Sequence, residues 1–214
     1  MLGRAAGGWL VRMTEHSAAT DHLGDDGEAL VVYASTHGHT AKIAARLAAA
    51  MRGAGLEVDL CDVAQAAGAE PARYDLVVVA GSLHKEQHQK ELVAWVTERR
   101  DALAGVPAVF CSVSLSAADD SEESRAATQR CIDAFCTETG WTPARTEAIA
   151  GALQYREYDL FTRQLMRLLM KHMGHPTDAS HDYDYTDWEG VDRLGRELAR
   201  RCAPVGAAHG IAGG

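Results

Sequence analysis

With 214 residues, 47% of them hydrophobic, the chain is long enough to form one sizeable domain around a real core. Its formal charge of −9 excludes general nucleic-acid binding, which needs a basic surface to neutralise phosphates, and fits a cytoplasmic enzyme or electron carrier. The five cysteines, Cys61, Cys111, Cys131, Cys136 and Cys202, are odd in number and lack C-x-x-C spacing, so they read as buried or incidental thiols rather than as metal ligands or a disulfide framework.

Residues 1–28 are rich in Gly, Ala, His and Asp and hold no sustained period, so they read as a disordered extension. Arg4 precedes Trp9-Leu10-Val11, but that apolar run is too short for a signal peptide, and Met13 is an alternative start. No run of about eighteen apolar residues occurs, so any membrane contact is expected to be peripheral.

The segment Val31-Val32-Tyr33-Ala34 predicts a first strand, and Ser35-Thr36-His37-Gly38-His39-Thr40 then leads straight into a helix. A helix start leaves backbone N–H groups unpaired and carries about half a positive charge, which suits an anion. Ser35, Thr36 and Thr40 add hydroxyl donors, and Gly38 permits a backbone conformation and a close approach that a Cβ would obstruct. The loop holds no Lys or Arg, which excludes the ATP/GTP P-loop, and G-x-G-x-x-G is absent. Hydroxyl-bearing residues also cap ordinary strand–helix turns, so the pattern needs support from elsewhere in the chain.

Ile43, Leu47 and Met51 recur at helical spacing up to Gly53-Ala54-Gly55. Leu56–Asp62 alternates as a second strand, and Asp75–Ala80 is a third, apolar throughout and ended by Gly81-Ser82. A helix is expected from about Gln87 to Ala104, a fourth strand over Ala108–Ser114, a helix over Glu122–Thr139 and a fifth strand at Glu147–Ala150. This alternation predicts an α/β fold with a doubly wound parallel sheet over residues 29–202, whose ligand sits at the carboxyl ends of strands near the reversal in strand order.

Three polar strand ends would converge there: Ser35–Thr40, Gly81-Ser82-Leu83-His84 running on to His88, and Ser112-Val113-Ser114-Leu115. Ser-Thr-x-Gly-x-Thr after a first strand resembles the flavodoxin phosphate loop, which holds the phosphate of FMN mainly through hydroxyls and amides. The resemblance implies a flavodoxin-like sheet of order 2-1-3-4-5, with FMN bound by Ser35, Thr36, His37, Gly38, His39, Thr40, Gly81, Ser82, Leu83, His84, Ser112, Val113, Ser114 and Leu115. The chain departs from the usual pattern in lacking an aromatic residue in the second and third loops. Leu83, His84, His88 or Tyr155 could cover the flavin ring instead. A positive charge on His84 or Lys85 near the flavin would favour the anionic reduced ring.

Beyond the fifth strand the chain inserts about residues 152–182 before a closing helix. Within it, Asp159–Met173 places Phe161, Leu165, Leu168, Leu169 and Met173 on one helical face and Arg163, Arg167 and Lys171 four apart on the other. Residues 149–173 carry four basic and two acidic side chains, a locally positive piece of an acidic chain. Such a helix reads either as a solvated basic face over the core or as a contact for an anionic amphipathic surface, lipid or a carboxylate-bearing substrate. For a carboxylate, Arg156 and Arg163 are the best-suited partners, since a guanidinium can donate two parallel hydrogen bonds.

The run Ile149–Tyr155, the Leu/Met/basic helix, Gly174, Thr177-Asp178 and Tyr185-Thr186-Asp187-Trp188-Glu189 resemble the flavodoxin-like, quinone-dependent protoporphyrinogen oxidases of bacterial haem synthesis, over about residues 30–200. The closing segment also has a local reading, a capping box of Thr186 and Glu189 for a last helix using Val191, Leu194 and Leu198. The resemblance implies oxidation of protoporphyrinogen IX to protoporphyrin IX by FMN, with electrons passed to a membrane quinone, menaquinone or ubiquinone. It also implies that the insert, through Tyr155, Arg156, Arg163, Arg167 and Lys171, meets substrate or membrane at the cytoplasmic face.

The flavin carries the chemistry in such enzymes, and His84, His88 and His172 are candidates only because imidazole titrates near neutrality. The alternatives are a flavodoxin-like electron carrier or NAD(P)H/quinone reductase, and an interaction module without FMN. Residues 203–214 read as a flexible tail, and a homo-oligomer stays open.

Overall fold

A computed structural model describes residues 27–84, 86–153 and 181–202. The elements run β1 (Glu28–Ala34), α1 (His39–Arg52), β2 (Glu57–Asp62), β3 (Leu76–His84), β4 (Gln87–His88), α2 (Lys90–Ala104), β5 (Ala108–Ser114), α3 (Glu122–Thr139), β6 (Arg145–Ala150), β7 (Ala152–Leu153), β8 (Tyr183–Asp184) and α4 (Trp188–Cys202). Five strands pair in the order β2-β1-β3-β5-β6, all parallel, which is the 2-1-3-4-5 order expected from the sequence.

The central strands are apolar at successive positions because both faces are covered. On β1, Ala29 and Val31 join Ile43, Leu47 and Met51 of α1 and Val191, Leu194 and Leu198 of α4. Leu30 and Val32 point to the opposite face, with Leu92, Trp95 and Val96 of α2 and Ile132 and Phe135 of α3. The same alternation continues on β3, where Val78 and Ala80 join the first cluster and Val77 and Val79 the second.

Three element ends differ from the sequence expectations. β3 does not stop at Gly81-Ser82 but continues to His84, because Leu83 and His84 pair with His88 and Gln87 in a short antiparallel hairpin. The residues of that hairpin, Gln87 and His88, are therefore extended, and α2 starts at Lys90. β6 begins at Arg145, where Arg145 pairs with Val109.

After β6 the chain crosses to β7, which pairs antiparallel with β8 through Ala152↔Asp184 and Leu153↔Tyr183. The two ends of the expected insert are thus held side by side. Residues 154–180 lie outside the described residues, and with them Tyr155, Arg156, Arg163, Arg167, Lys171 and His172.

The last helix is not capped by Thr186 and Glu189. It begins at Trp188, so Asp187 takes the cap position and its Oδ1 accepts from the Gly190 N–H at 2.9 Å. The Thr186 hydroxyl is engaged elsewhere, donating to the Ala150 carbonyl at 2.8 Å.

Candidate functional site

The strand order reverses between β1 and β3, so the loops that leave the carboxyl ends of β1 and β3 run to helices on opposite faces of the sheet and leave a cleft. It encloses about 560 Å³ of empty space, including its open mouth. From the first loop come Ser35, Thr36, His37, His39 and Thr40; from the second, Ser82, Leu83 and His84; from the third, Val113, Ser114 and Leu115. Gly151 and Ala152 close the remaining side. These two were missed as site residues in the sequence, although their position directly after the fifth strand was the available signal.

The remaining three candidates do not line the cleft. Gly38 precedes α1 with a φ of 81°, in the left-handed region, and no described atom lies within 4 Å of where its Cβ would stand. At Gly81 the constraint is space behind the cleft, since a Cβ would lie 2.5 Å from Leu92 Cδ2. Ser112 points into the protein, fully buried, with its hydroxyl 3.0 Å from His88 Nε2.

His88, offered from the sequence as cover for a flavin ring, is a core residue. Its imidazole stands edge-on to Phe110 and Phe135, with centroids 5.1 and 4.9 Å away, and burial pushes its pKa down to about 4. From β4 its side chain packs on Phe110, Phe135 and Ser112, while Leu83 and His84 line the cleft.

The first loop leads into an uncapped helix start. No side chain caps α1, whose N-cap is Gly38, and no acidic residue stands in its first turn. Its leading N–H groups therefore have no side-chain cap. Ser35 Oγ is buried and has no hydrogen-bond partner among the described residues, a cost that a bound acceptor would remove. The alternative of an ordinary turn capped by Ser or Thr is not what forms here. No Asp, Glu, Lys or Arg lines the cleft among the described residues; its titratable side chains are His37, His39 and His84.

His39 ties this loop to the far end of the chain. Its Nε2 lies 2.7 Å from Thr186 Oγ1 and 3.6 Å from Asp184 Oδ1, and its ring packs edge-on against Trp188 at 5.8 Å. Because the Thr186 proton is donated to the Ala150 carbonyl, His39 must supply an Nε2–H to the Thr186 oxygen. Burial lowers the His39 pKa, with Lys42 acting in the same sense and Asp184 opposing. Burial would raise the Asp184 carboxyl, but hydrogen bonds from the Thr186 amide and the Trp188 indole, together with His39, hold it below its usual range.

The third loop is fixed from within. Ser114 Oγ accepts from the Ala117 N–H at 3.2 Å and lies 3.0 Å from Ser116 Oγ, which in turn meets Thr128 Oγ1 at 2.9 Å. The Ser114 carbonyl accepts from the Gly151 N–H at 2.9 Å, which sets the Gly151-Ala152 wall of the cleft.

Comparison with known proteins agrees with this geometry. Residues 30–180 match the family described as "Flavodoxin domain". A protein of Escherichia coli K12 named protoporphyrinogen IX dehydrogenase (quinone) is 31% identical over 170 residues, covering 79% of this chain and 93% of the relative. A protein of the same name from Leishmania major is 28% identical over 171 residues, covering 79% and 74%. A short-chain flavodoxin associated with a PDU bacterial microcompartment superposes with a TM-score of 0.50 at 15% identity, over 82% of this chain and 98% of that one, and so shares the fold. Matched along most of its length, the chain belongs to the flavodoxin domain family, and as a member it is an oxidoreductase whose cofactor is FMN.

Proposed function

We propose that this protein oxidises protoporphyrinogen IX to protoporphyrin IX and passes the electrons to a membrane quinone, as a step of haem biosynthesis. The observation that carries the reading is the similarity to relatives named for that reaction, which extends over 93% of the E. coli protein's length. FMN, when bound, supplies the chemistry by accepting hydrogen from the porphyrinogen and yielding electrons to the quinone.

The residues around the cleft bind and orient. Ser35, Thr36 and Thr40, with the uncapped N–H groups at the start of α1, would hold the FMN phosphate. The unpaired Ser35 hydroxyl suits that role, since a phosphate oxygen gives its proton an acceptor. Leu83, His84, Val113 and Leu115 would flank the flavin, where no aromatic side chain stands among the described residues. Among the described residues no carboxylate lines the cleft to oppose negative charge gathered there on reduction.

The substrate and the membrane belong to the insert in this reading. Arg156 and Arg163 would pair with the porphyrinogen carboxylates, Tyr155 would cover the flavin, and Arg167 and Lys171 would meet substrate or lipid headgroups. In this reading the approach to quinone is peripheral, from the cytoplasmic side; no helix among the described residues is long and apolar enough to cross a membrane.

The test is a split between cofactor and substrate binding. Replacing Arg156 and Arg163 by Gln should raise the KM for protoporphyrinogen at least ten-fold while the FMN affinity stays unchanged. Unchanged KM would remove the insert from substrate binding. Flavin-loaded protein that reduces quinone from NAD(P)H but leaves porphyrinogen untouched would transfer the assignment to a quinone reductase.

A further inference from the structure

Gln89, the residue before α2, does not line the cleft, yet it holds two residues that do. Its Nε2 donates to Ser82 Oγ, near the end of β3, and to Thr36 Oγ1 in the first loop at 3.3 Å. Its Oε1 is buried with no partner among the described residues.

The direction of the amide follows from what each orientation leaves unpaired. With Nε2 on the hydroxyls, one carbonyl oxygen is stranded. With Oε1 on the hydroxyls, two N–H donors would be stranded in the same buried place, at greater cost. A hydroxyl has one proton and accepts through its lone pairs, so Ser82 and Thr36, each accepting from Gln89, keep their own protons to give. Both residues line the cleft. Because they share one nitrogen, their oxygens are also close enough to serve a single phosphate.

We propose that Gln89 is a positioning residue that sets the polarity of the site: by donating to Ser82 and Thr36 together, it turns both hydroxyl protons toward the cleft as donors for a phosphate monoester. The inference rests on the reading that the FMN phosphate sits at the first loop. It adds a residue outside the cleft that gives two separate loops a common hydrogen-bond direction before the ligand arrives.

The experiment compares FMN with riboflavin, which lacks the phosphate, by titrating apoprotein with each and following flavin fluorescence. Wild-type protein should prefer FMN; equal affinity for the two would overturn the phosphate placement itself, and this proposal with it. In Gln89→Glu the carboxylate can only accept, so both hydroxyls turn their protons away from the cleft. FMN affinity should fall at least ten-fold while riboflavin affinity changes by less than two-fold. Gln89→Met, which keeps the bulk without the charge, should give a smaller loss confined to FMN and covers the case in which the Glu variant does not fold. Equal losses for FMN and riboflavin, or no loss for either, with the wild-type preference intact, would reduce Gln89 to a residue of the fold and overturn the proposal.

Discussion

His39 and Thr186, 147 residues apart in the chain, meet at 2.7 Å and join the first turn of α1 to the segment that returns from β8 into α4. The Thr186 hydroxyl serves both sides, accepting from His39 and donating to the Ala150 carbonyl at the end of β6. One side chain thus fastens the first loop, the fifth strand of the parallel sheet and the closing helix.

Thr186→Val keeps the shape but leaves the His39 N–H and the Ala150 carbonyl without this partner. It should cost about 1–2 kcal/mol of stability in urea unfolding, and Thr186→Ser should restore most of it. A valine variant as stable as wild type would show that water replaces the hydroxyl at no cost.

Ser35 offers a test in which stability and binding move in opposite directions. Its hydroxyl is buried with no hydrogen-bond partner among the described residues, so Ser35→Ala should leave the stability of the FMN-free protein unchanged or raise it by up to about 1 kcal/mol. The same change should weaken FMN at least ten-fold, and Thr40→Ala should also weaken it. An alanine variant that loses stability and keeps its FMN affinity would place the phosphate elsewhere.

At Gly38 the constraint is the backbone, since φ is 81° and a Cβ would meet nothing within 4 Å. Gly38→Ala should destabilise the apoprotein by about 1 kcal/mol through strain, and Gly38→Asn by less, because Asn tolerates the left-handed region. Thermal unfolding of the three proteins gives the order directly, and an alanine variant equal to wild type would show that the loop relaxes.

Much of this architecture is legible in the sequence because its causes are local. Val77–Ala80 is apolar without alternation since both faces of β3 are covered, and the hydroxyls and glycine of the first loop lie together at one strand–helix junction. The hairpin of β3 and β4 is hidden because its turn places Glu86 at a φ of 63°, which a non-glycine residue seldom adopts and no local pattern announces. That turn decides the fate of His88, which the sequence offers to the flavin and the fold gives to Phe110 and Phe135. Thr186 and Asp187 are both good caps, and only the distant His39 and Ala150 decide which of them caps α4. Gln89 escaped notice for the same reason, as its partners Thr36 and Ser82 come from two other loops.

Burial of His88 should make the fold acid-sensitive. The unfolded imidazole titrates near 6.5 and the buried one near about 4, so between these values the unfolded state binds the extra proton. Stability should therefore be full above pH 6.5, fall as pH drops toward 4, and level off below, with a total loss of roughly 3 kcal/mol from this group. His39, lowered mainly by burial, acts in the same sense. Urea unfolding of wild type and His88→Leu across this range should show a shallower slope in the variant; equal slopes would mean that His88 does not stay neutral in the fold.

The most direct measurement is anaerobic conversion of protoporphyrinogen IX to protoporphyrin IX, followed by porphyrin fluorescence, with purified FMN-loaded protein and a quinone, against FMN and quinone without protein. Protein-dependent porphyrin formation that requires the quinone is the predicted result. Flavin-loaded protein that forms porphyrin no faster than the protein-free control would contradict the proposed function while leaving the flavodoxin fold and its cofactor in place.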